Sequence, residues 1–342
     1  MGCECSHDER NAEFKNEFYQ KNYDVEEKIK TNPNLLKGLI TLQSIIKGRF
    51  FRKNFNKQLN NNNEEEIISY KFINTDKIDQ KELEELFKLY PPLDDGVDVE
   101  VLSPAQFNNK VIYFGEWDKK NNLRHGRGIQ LWLDGAKFLG CWKHGKACGK
   151  GKLIHADGDV YDGDWFDDKP SGYGIYIHSD GTKYEGEWKD DRQNGQGKEV
   201  WPDGTSYEGE YVNGKKQGYG IFKWADKSMY KGNFENNNIH GKGIYTFADG
   251  RQYNGDWKNN KLDGKGIFTW VDGRTYNGEY KNDKKEGYGL FEWPDGKKYR
   301  GEWKNGKQHG VGEYFSPNDN TWKKGIWDHG KRKKWIDNDN EN

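Results

Sequence analysis

Tyr184-Glu185-Gly186-Glu187-Trp188, then Gly195-Gln196-Gly197, then Asp203-Gly204 is the stretch on which the fold turns. Tyr, Gly and Trp occupy alternate positions, so all three share one face of an extended strand. Gly-x-Gly opens a second strand, which in a later copy runs on through Ile267-Phe268-Thr269-Trp270. Asp-Gly is the chemistry of a tight hairpin turn, because glycine takes positive φ without a Cβ clash. The stretch therefore reads as two short antiparallel strands. Its mid-strand glycine leaves room for an aromatic ring to lie flat against backbone.

The same pattern extends in both directions. Its leading aromatic recurs at Tyr113, Phe138, Tyr161, Tyr184, Tyr207, Tyr230, Tyr253, Tyr276 and Tyr299; after one step of 25 residues, every interval is 23. The strand triplets Tyr161, Gly163, Trp165; Tyr184, Gly186, Trp188; Tyr253, Gly255, Trp257; and Tyr299, Gly301, Trp303 carry the structural pattern. Asp-Gly closes seven units, with Asp226-Lys227 as the exception in the middle. A tenth, broken copy survives as Gly325 and Trp327. The expected fold is mainly β: an elongated single-layer antiparallel sheet of repeated hairpins over 111–335, preceded by an α-helical N-terminal region. At two strands per unit and about 4.8 Å per strand, the ribbon would be on the order of 85 Å long, with nearest-neighbour contacts. A polar tail follows at 336–342.

Tyr-x-Gly-x-Trp, Gly-x-Gly and Asp-Gly at this spacing resemble the MORN repeat (membrane occupation and recognition nexus), over about 113–314. Tyr211, Phe234 and Tyr280 stand in place of Trp and keep its aromatic role; Phe138 and Cys141 make the second unit atypical. The resemblance implies a scaffold. Two alternatives come with it: a component of the ciliary axoneme, as in radial-spoke proteins, or phosphoinositide binding through the repeats. Some relatives join such repeats to lipid-kinase or lysine-methyltransferase domains, but no residues remain here to form either.

Composition agrees with a thin fold. Only 32% of residues are hydrophobic and 32% are charged, too little apolar surface for a thick aliphatic core. Yet 15% are aromatic, which argues against a disordered chain. All 14 tryptophans lie between Trp117 and Trp335, and 39 of the 43 glycines lie from Gly115 onward, which sets a boundary near residue 110. A formal net charge of −1 gives no global attraction to nucleic acid or membrane. No apolar run reaches the roughly 18–20 residues that span a bilayer.

The N-terminal third carries different signals. Met1-Gly2-Cys3-Glu4-Cys5-Ser6 matches the N-myristoylation pattern, and Cys3 and Cys5 stand where palmitoylation would add a second anchor. One acyl chain binds a membrane marginally; two hold it. Residues 1–33 are thus expected to be an anchoring segment on the cytoplasmic face of a membrane. Residues 34–58 read as a basic amphipathic helix, in which Leu42, Gln43, Lys47, Gly48, Arg52 and Phe55 fill the places of an IQ motif. No acidic residue occurs from Lys28 through Asn63, so the segment suits the acidic, apolar lobes of calmodulin or a related EF-hand light chain. Residues 59–110 read as a linker and a capping helix. Asp79 and Glu82 open that helix, Leu83, Leu86, Phe87 and Tyr90 form its stripe, and Pro91-Pro92 end it. It is expected to cover the open edge of the first repeat.

No catalytic constellation is visible, so an enzyme is not expected. The Gly-x-Gly pairs lack the third glycine and following helix of a dinucleotide site. Neither cofactor nor metal is expected. His125, His240 and His309 share one repeat phase and read as turn residues too far apart for a shared ion. Glu116, Asp164, Glu187, Glu210, Asp256, Glu279 and Glu302 form an acidic row opposite the aromatics, either a solvated face or a partner groove. The functional expectation is a non-enzymatic, membrane-tethered or cytoskeletal scaffold whose ribbon positions partners beside a calmodulin-like light chain.

Overall fold

The computed structural model describes residues 80–107 and 111–336. They divide between Lys216 and Gln217 into two units. In both, strands of seven to nine residues alternate in antiparallel pairs, each hydrogen-bonded to its sequence neighbours. The first unit begins with α1 (Gln80–Leu89), then β1 (Val99–Val101), β2 (Ala105–Gln106), β3 (Ile112–Asp118), β4 (Leu123–Leu131) and β5 (Lys137–Lys143). The fold class expected from the repeat, an antiparallel sheet of hairpins with a helix on its N-terminal side, is present.

One repeat, led by Tyr253, shows how the sequence builds the sheet. Gly255 and Gly266 stand directly opposite each other on paired strands, and the Tyr253 ring lies over them. A Cβ on Gly266 would meet the Tyr253 ring at 2.4–2.5 Å, so only glycine fits. Beyond this pair the register shifts between Gly255 and Trp257, leaving Asp256 unpaired toward the following strand while it still pairs with Lys242 on the preceding one. The Tyr253 hydroxyl donates to the Asp256 carbonyl at 3.0 Å and so supplies a partner that the bulge removes. The same bond joins Tyr161 to Asp164 and Tyr299 to Glu302, which explains why tyrosine leads the repeat. Burial pushes these phenols well above their ordinary range, so they remain donors.

Tryptophan links one repeat to the one before. The Trp257 ring stands edge-on to its own Tyr253 at 5.2 Å and to Tyr230 at 5.5 Å, and its Nε1 donates to the Gly243 carbonyl. Trp165 and Trp188 make the equivalent bonds to Gly151 and Gly174. Each ring pair contributes about 0.5–1.5 kcal/mol beyond its burial, so the aromatic ladder replaces an aliphatic core. Every leading ring is essentially inaccessible, including Phe138.

The turns differ from the simplest reading of Asp-Gly. Gly135 N–H donates to the Trp132 carbonyl and Trp132 N–H to the Ala136 carbonyl, so Asp134-Gly135 sits in a three-residue loop that joins consecutive units. Glycine alone takes positive φ there, at 93°. The two-residue turn lies inside the units after the first instead, at pairs such as Asn259-Asn260 with φ of 49° and 66°. Asn and Asp tolerate this left-handed backbone better than other non-glycine residues. The second turn residue also reaches the preceding repeat: Leu262 N–H donates to Asp283 Oδ1 at 2.8 Å, and Asp283 N–H to the Leu262 carbonyl.

Two ends depart from the regular pattern. The free side of β3 is paired by β1 and β2 rather than by α1. α1 lies across the sheet face, with Leu83, Leu86 and Tyr90 on Ile129 and Cys141 and beside Phe114 and Leu139. An edge hydrogen-bonds in the plane of the sheet, which a helix cannot extend. In the second unit, the basic run Lys331–Lys334 forms most of the final strand, Lys331–Trp335. Lysines on a terminal strand discourage pairing with another sheet. Trp327 of the broken tenth copy continues the ladder, 5.0 Å from Tyr299.

Candidate functional site

The anchoring residues Gly2, Cys3 and Cys5, and the IQ-like positions Leu42, Gln43, Lys47, Gly48, Arg52 and Phe55, lie outside the described residues. The repeat residues Tyr161, Gly163, Trp165, Tyr184, Gly186, Trp188, Tyr253, Gly255, Trp257, Tyr299, Gly301 and Trp303 all belong to the aromatic face described above. Their work is to hold the sheet. The opposite, outer face carries the acidic row.

The acidic row of that face has a structural task. In several repeats the bulge exposes the N–H of the residue between the two glycines, and the acid across the bulge accepts it. Tyr173 N–H donates to Asp164 at 2.9 Å, Gln196 to Glu187 at 2.9 Å, and Lys265 to Asp256 at 2.9 Å. In the first repeat, Glu116 caps Arg127 N–H and also pairs with its guanidinium at 2.7 Å. Hydrogen bonds from Lys242 and from Lys265 N–H hold the Asp256 carboxyl below its usual range. Several acids of the row thus have a partner within the sheet.

Beside it runs an apolar row. Ile129, fully buried under α1, stands cross-strand from Phe114 and Leu139. In the second unit the same repeat position holds Ile221, Ile244, Ile267 and Leu290. No element among the described residues covers these as α1 covers Ile129. Ile267 is 43% exposed, and Tyr219 and Tyr288, in the adjoining row, are each more than half exposed. The sequence carried the signal, an aliphatic residue directly after six of the nine Gly-x-Gly pairs, with Lys152, Lys198 and Glu313 after the other three. It was overshadowed by the stronger aromatic period.

Two further clusters were not legible from spacing. Lys285 is buried with its ammonium 4.6–5.1 Å from the rings of Trp270, Tyr276, Phe291 and Trp303, and burial pulls it down to about 7. Lys216, at the same repeat position three units earlier, instead pairs with Glu199 at 2.8 Å. The second cluster joins Asp118, His125 and His144. His125 stands on β4 and His144 in the turn after β5, and no local motif brings them together. Cys141 is buried under α1 and Cys148 is half-buried, both as free thiols in strands.

Among solved structures, a mutant of the TCP10 domain of Danio rerio CPAP shares 13% identity, covering 61% of this chain and 98% of that chain at a TM-score of 0.34. The SAS-4 (dCPAP) TCP domain of Drosophila melanogaster, in complex with a proline-rich motif of Ana2, shares 8% identity, covering 63% and 96% at a TM-score of 0.28. No curated protein matches the chain in sequence. The family model of the MORN repeat matches nine consecutive segments, from residues 113–137 and 138–160 through 276–298 and 299–321. These segments cover more than half of the chain, carry the tyrosine, glycine and tryptophan roles built up above, and show that it belongs to the MORN-repeat family.

Proposed function

We propose that the chain is a non-enzymatic scaffold whose outer sheet face receives an amphipathic helix from partner proteins. The observation that carries this reading is α1, which already lies on the outer face of the first two repeats and buries Ile129. The uncovered positions Ile221, Ile244, Ile267 and Leu290 repeat one per two strands, about 9.6 Å apart. Apolar residues seven apart on a helix stand about 10.5 Å apart. A helix laid across the strands would therefore meet the row in register. A photo-crosslinker at position 267 should capture partner segments with apolar residues at that period, and the pair Ile244→Asp and Ile267→Asp should release them. Retention of the same segments by the double variant would sink the proposal.

The N-terminal sequence extends this reading. Acylation at Gly2, with Cys3 and Cys5, would tether the scaffold to a cytoplasmic leaflet, and the 34–58 segment would carry calmodulin or a related light chain. Gly2→Ala should then move the protein from membrane to soluble fractions. Leu42→Glu or Arg52→Glu should lose calmodulin in a pulldown. Unchanged partitioning rejects the tether, and retention by both helix variants rejects the assigned register. A ciliary assembly role would show instead as salt-stable, detergent-resistant association with isolated axonemes.

A further inference from the structure

The array has one irregular step, the 25 residues between Tyr113 and Phe138. The two extra residues lie in the β3–β4 turn. Four residues, Lys119 to Asn122, stand there between the strands, against two at Asn259-Asn260. Asp118 shapes this longer turn. Its Oδ1 accepts Lys120 N–H and Asn121 N–H, and its Oδ2 accepts the Asn121 side-chain amide at 2.7 Å. Later repeats place a lysine where Asp118 stands in five copies and Phe166, Val212 or Glu235 in the other three.

His125 packs beside Asp118, 1% exposed. Its Nδ1 accepts the His144 backbone N–H at 3.3 Å, which requires that nitrogen to be unprotonated. The ring proton therefore sits on Nε2, which donates to the Asp95 carboxylate at 3.3 Å. Lys143 Nζ holds the same carboxylate from the other side at 3.3 Å. A carboxylate on the far nitrogen is the arrangement that orients an imidazole for metal ligation, and an ion would take the Nδ1 lone pair in place of the long His144 N–H bond.

His144 completes the group. It occupies the first position of a tight turn, at φ 49°, where Asn213, Asn236, Asn259, Asn282 and Asn305 stand in later repeats. Asparagine suits that backbone at least as well, so the turn itself does not call for an imidazole. The His144 ring stands 5.1 Å from that of His125, and one ligand atom from each of Asp118, His125 and His144 lies within 4.8 Å of the others. Ligands on a tetrahedral ion at about 2.0–2.1 Å are about 3.3 Å apart, and the exposed His144 side chain is free to close the difference. A cavity of about 400 Å³, lined in part by Asp118, Asn121 and His144, opens beside the group and provides an entry path.

We propose that Asp118, His125 and His144 bind one divalent transition ion, Zn²⁺ being the natural probe, with Asp95 as the support of His125. Two imidazoles and one carboxylate favour such an ion over Ca²⁺ or Mg²⁺, which take oxygen ligands. The fourth position faces the cavity and is left to water. Bound there, the ion would tie the β3–β4 turn to the β5 turn and fasten the first repeat to the second.

The test uses the full-length chain, stripped with chelator and titrated with Zn²⁺ by calorimetry. One stoichiometric ion and a rise in unfolding temperature are expected. His144→Asn installs the residue found at that position in later repeats, so the fold should be retained while affinity falls roughly tenfold or more. Asp118→Asn should weaken binding as well. His329→Asn removes a similar histidine pair, His309 and His329 with rings 5.7 Å apart, and should leave this affinity unchanged. The Co²⁺-loaded protein should show a tetrahedral visible spectrum without a thiolate charge-transfer band. Undiminished affinity in His144→Asn, absence of uptake by the wild-type chain, or a thiolate band pointing to the cysteines would each overturn the proposal.

Discussion

The first two repeats and the regular repeats of residues 217–336 share one aromatic face and differ on the other. Tyr113 lies on Gly128 as Tyr253 lies on Gly266, and each ring pairs edge-on with a tryptophan. On the outer side, Ile129 is sealed beneath α1, whereas Ile267 is open to solvent. The contrast separates two roles that share one 23-residue period. Inner positions answer only to the next repeat, so any copy can serve. Outer positions answer to whatever covers them, and there the repeats diverge.

The contrast breaks most clearly at the paired isoleucines. Ile129→Asp should cost about 4 kcal/mol or more, because it buries an unpaired carboxylate among Leu83, Leu86 and Tyr90. Ile267→Asp should change stability by no more than about 0.5 kcal/mol. Equal losses in urea unfolding would show that the outer row of the second unit is covered after all. Gly128→Ala and Gly266→Ala test the shared face. Each new Cβ would fall 2.2–2.5 Å from a buried tyrosine ring, so both should cost about 3 kcal/mol. A loss below about 1 kcal/mol at either site would mean that the ring is not seated on glycine.

The buried lysines sharpen the comparison within the aromatic face. Lys216 has Glu199, whereas Phe268 stands at that place for Lys285 and four rings surround its ammonium. The folded protein releases the Lys285 proton near pH 7, while the unfolded chain keeps it until about 10.4. Between these values the unfolded state binds more protons, so stability should rise with pH by up to about 1.4 kcal/mol per unit. Lys285→Leu, which copies Leu262 of the preceding repeat, should remove the rise and stabilise the protein at pH 7. An unchanged slope in that variant would assign the effect elsewhere. The smallest change expected is at Lys227, where a lysine holds φ 72° in the turn that other repeats give to glycine. Lys227→Gly should stabilise by about 1 kcal/mol in thermal unfolding, and any loss would contradict the turn assignment.

Much of this was legible from residues alone, and the exceptions are instructive. Tyr-x-Gly-x-Trp names the inner face because a strand alternates sides with period two. Asp-Gly marks a tight hairpin turn, but nothing in the dipeptide says that its loop holds three residues and joins consecutive units. Asn213-Gly214 and Asn305-Gly306 were the stronger signals for the two-residue turn, and their variants Asn259-Asn260 and Asp190-Asp191 disguised it. The acidic row was visible as a period, whereas its task depends on a bulge that no spacing reveals. α1 was readable as a helix from its capping residues and stripe. Its seat on the face rather than at the edge followed from β1 and β2, which are too short to announce themselves.

By itself the sequence determined the repeat, its strand pairs and the aromatic–glycine face, because those depend on neighbours within about one period along the chain. Only the tertiary structure decided where Asp95, Asp118, His125 and His144 meet, which rings enclose Lys285, and which isoleucines α1 covers. Those juxtapositions join residues from different turns, strands and the helix, and they arise once strand register converts distance along the chain into proximity across it.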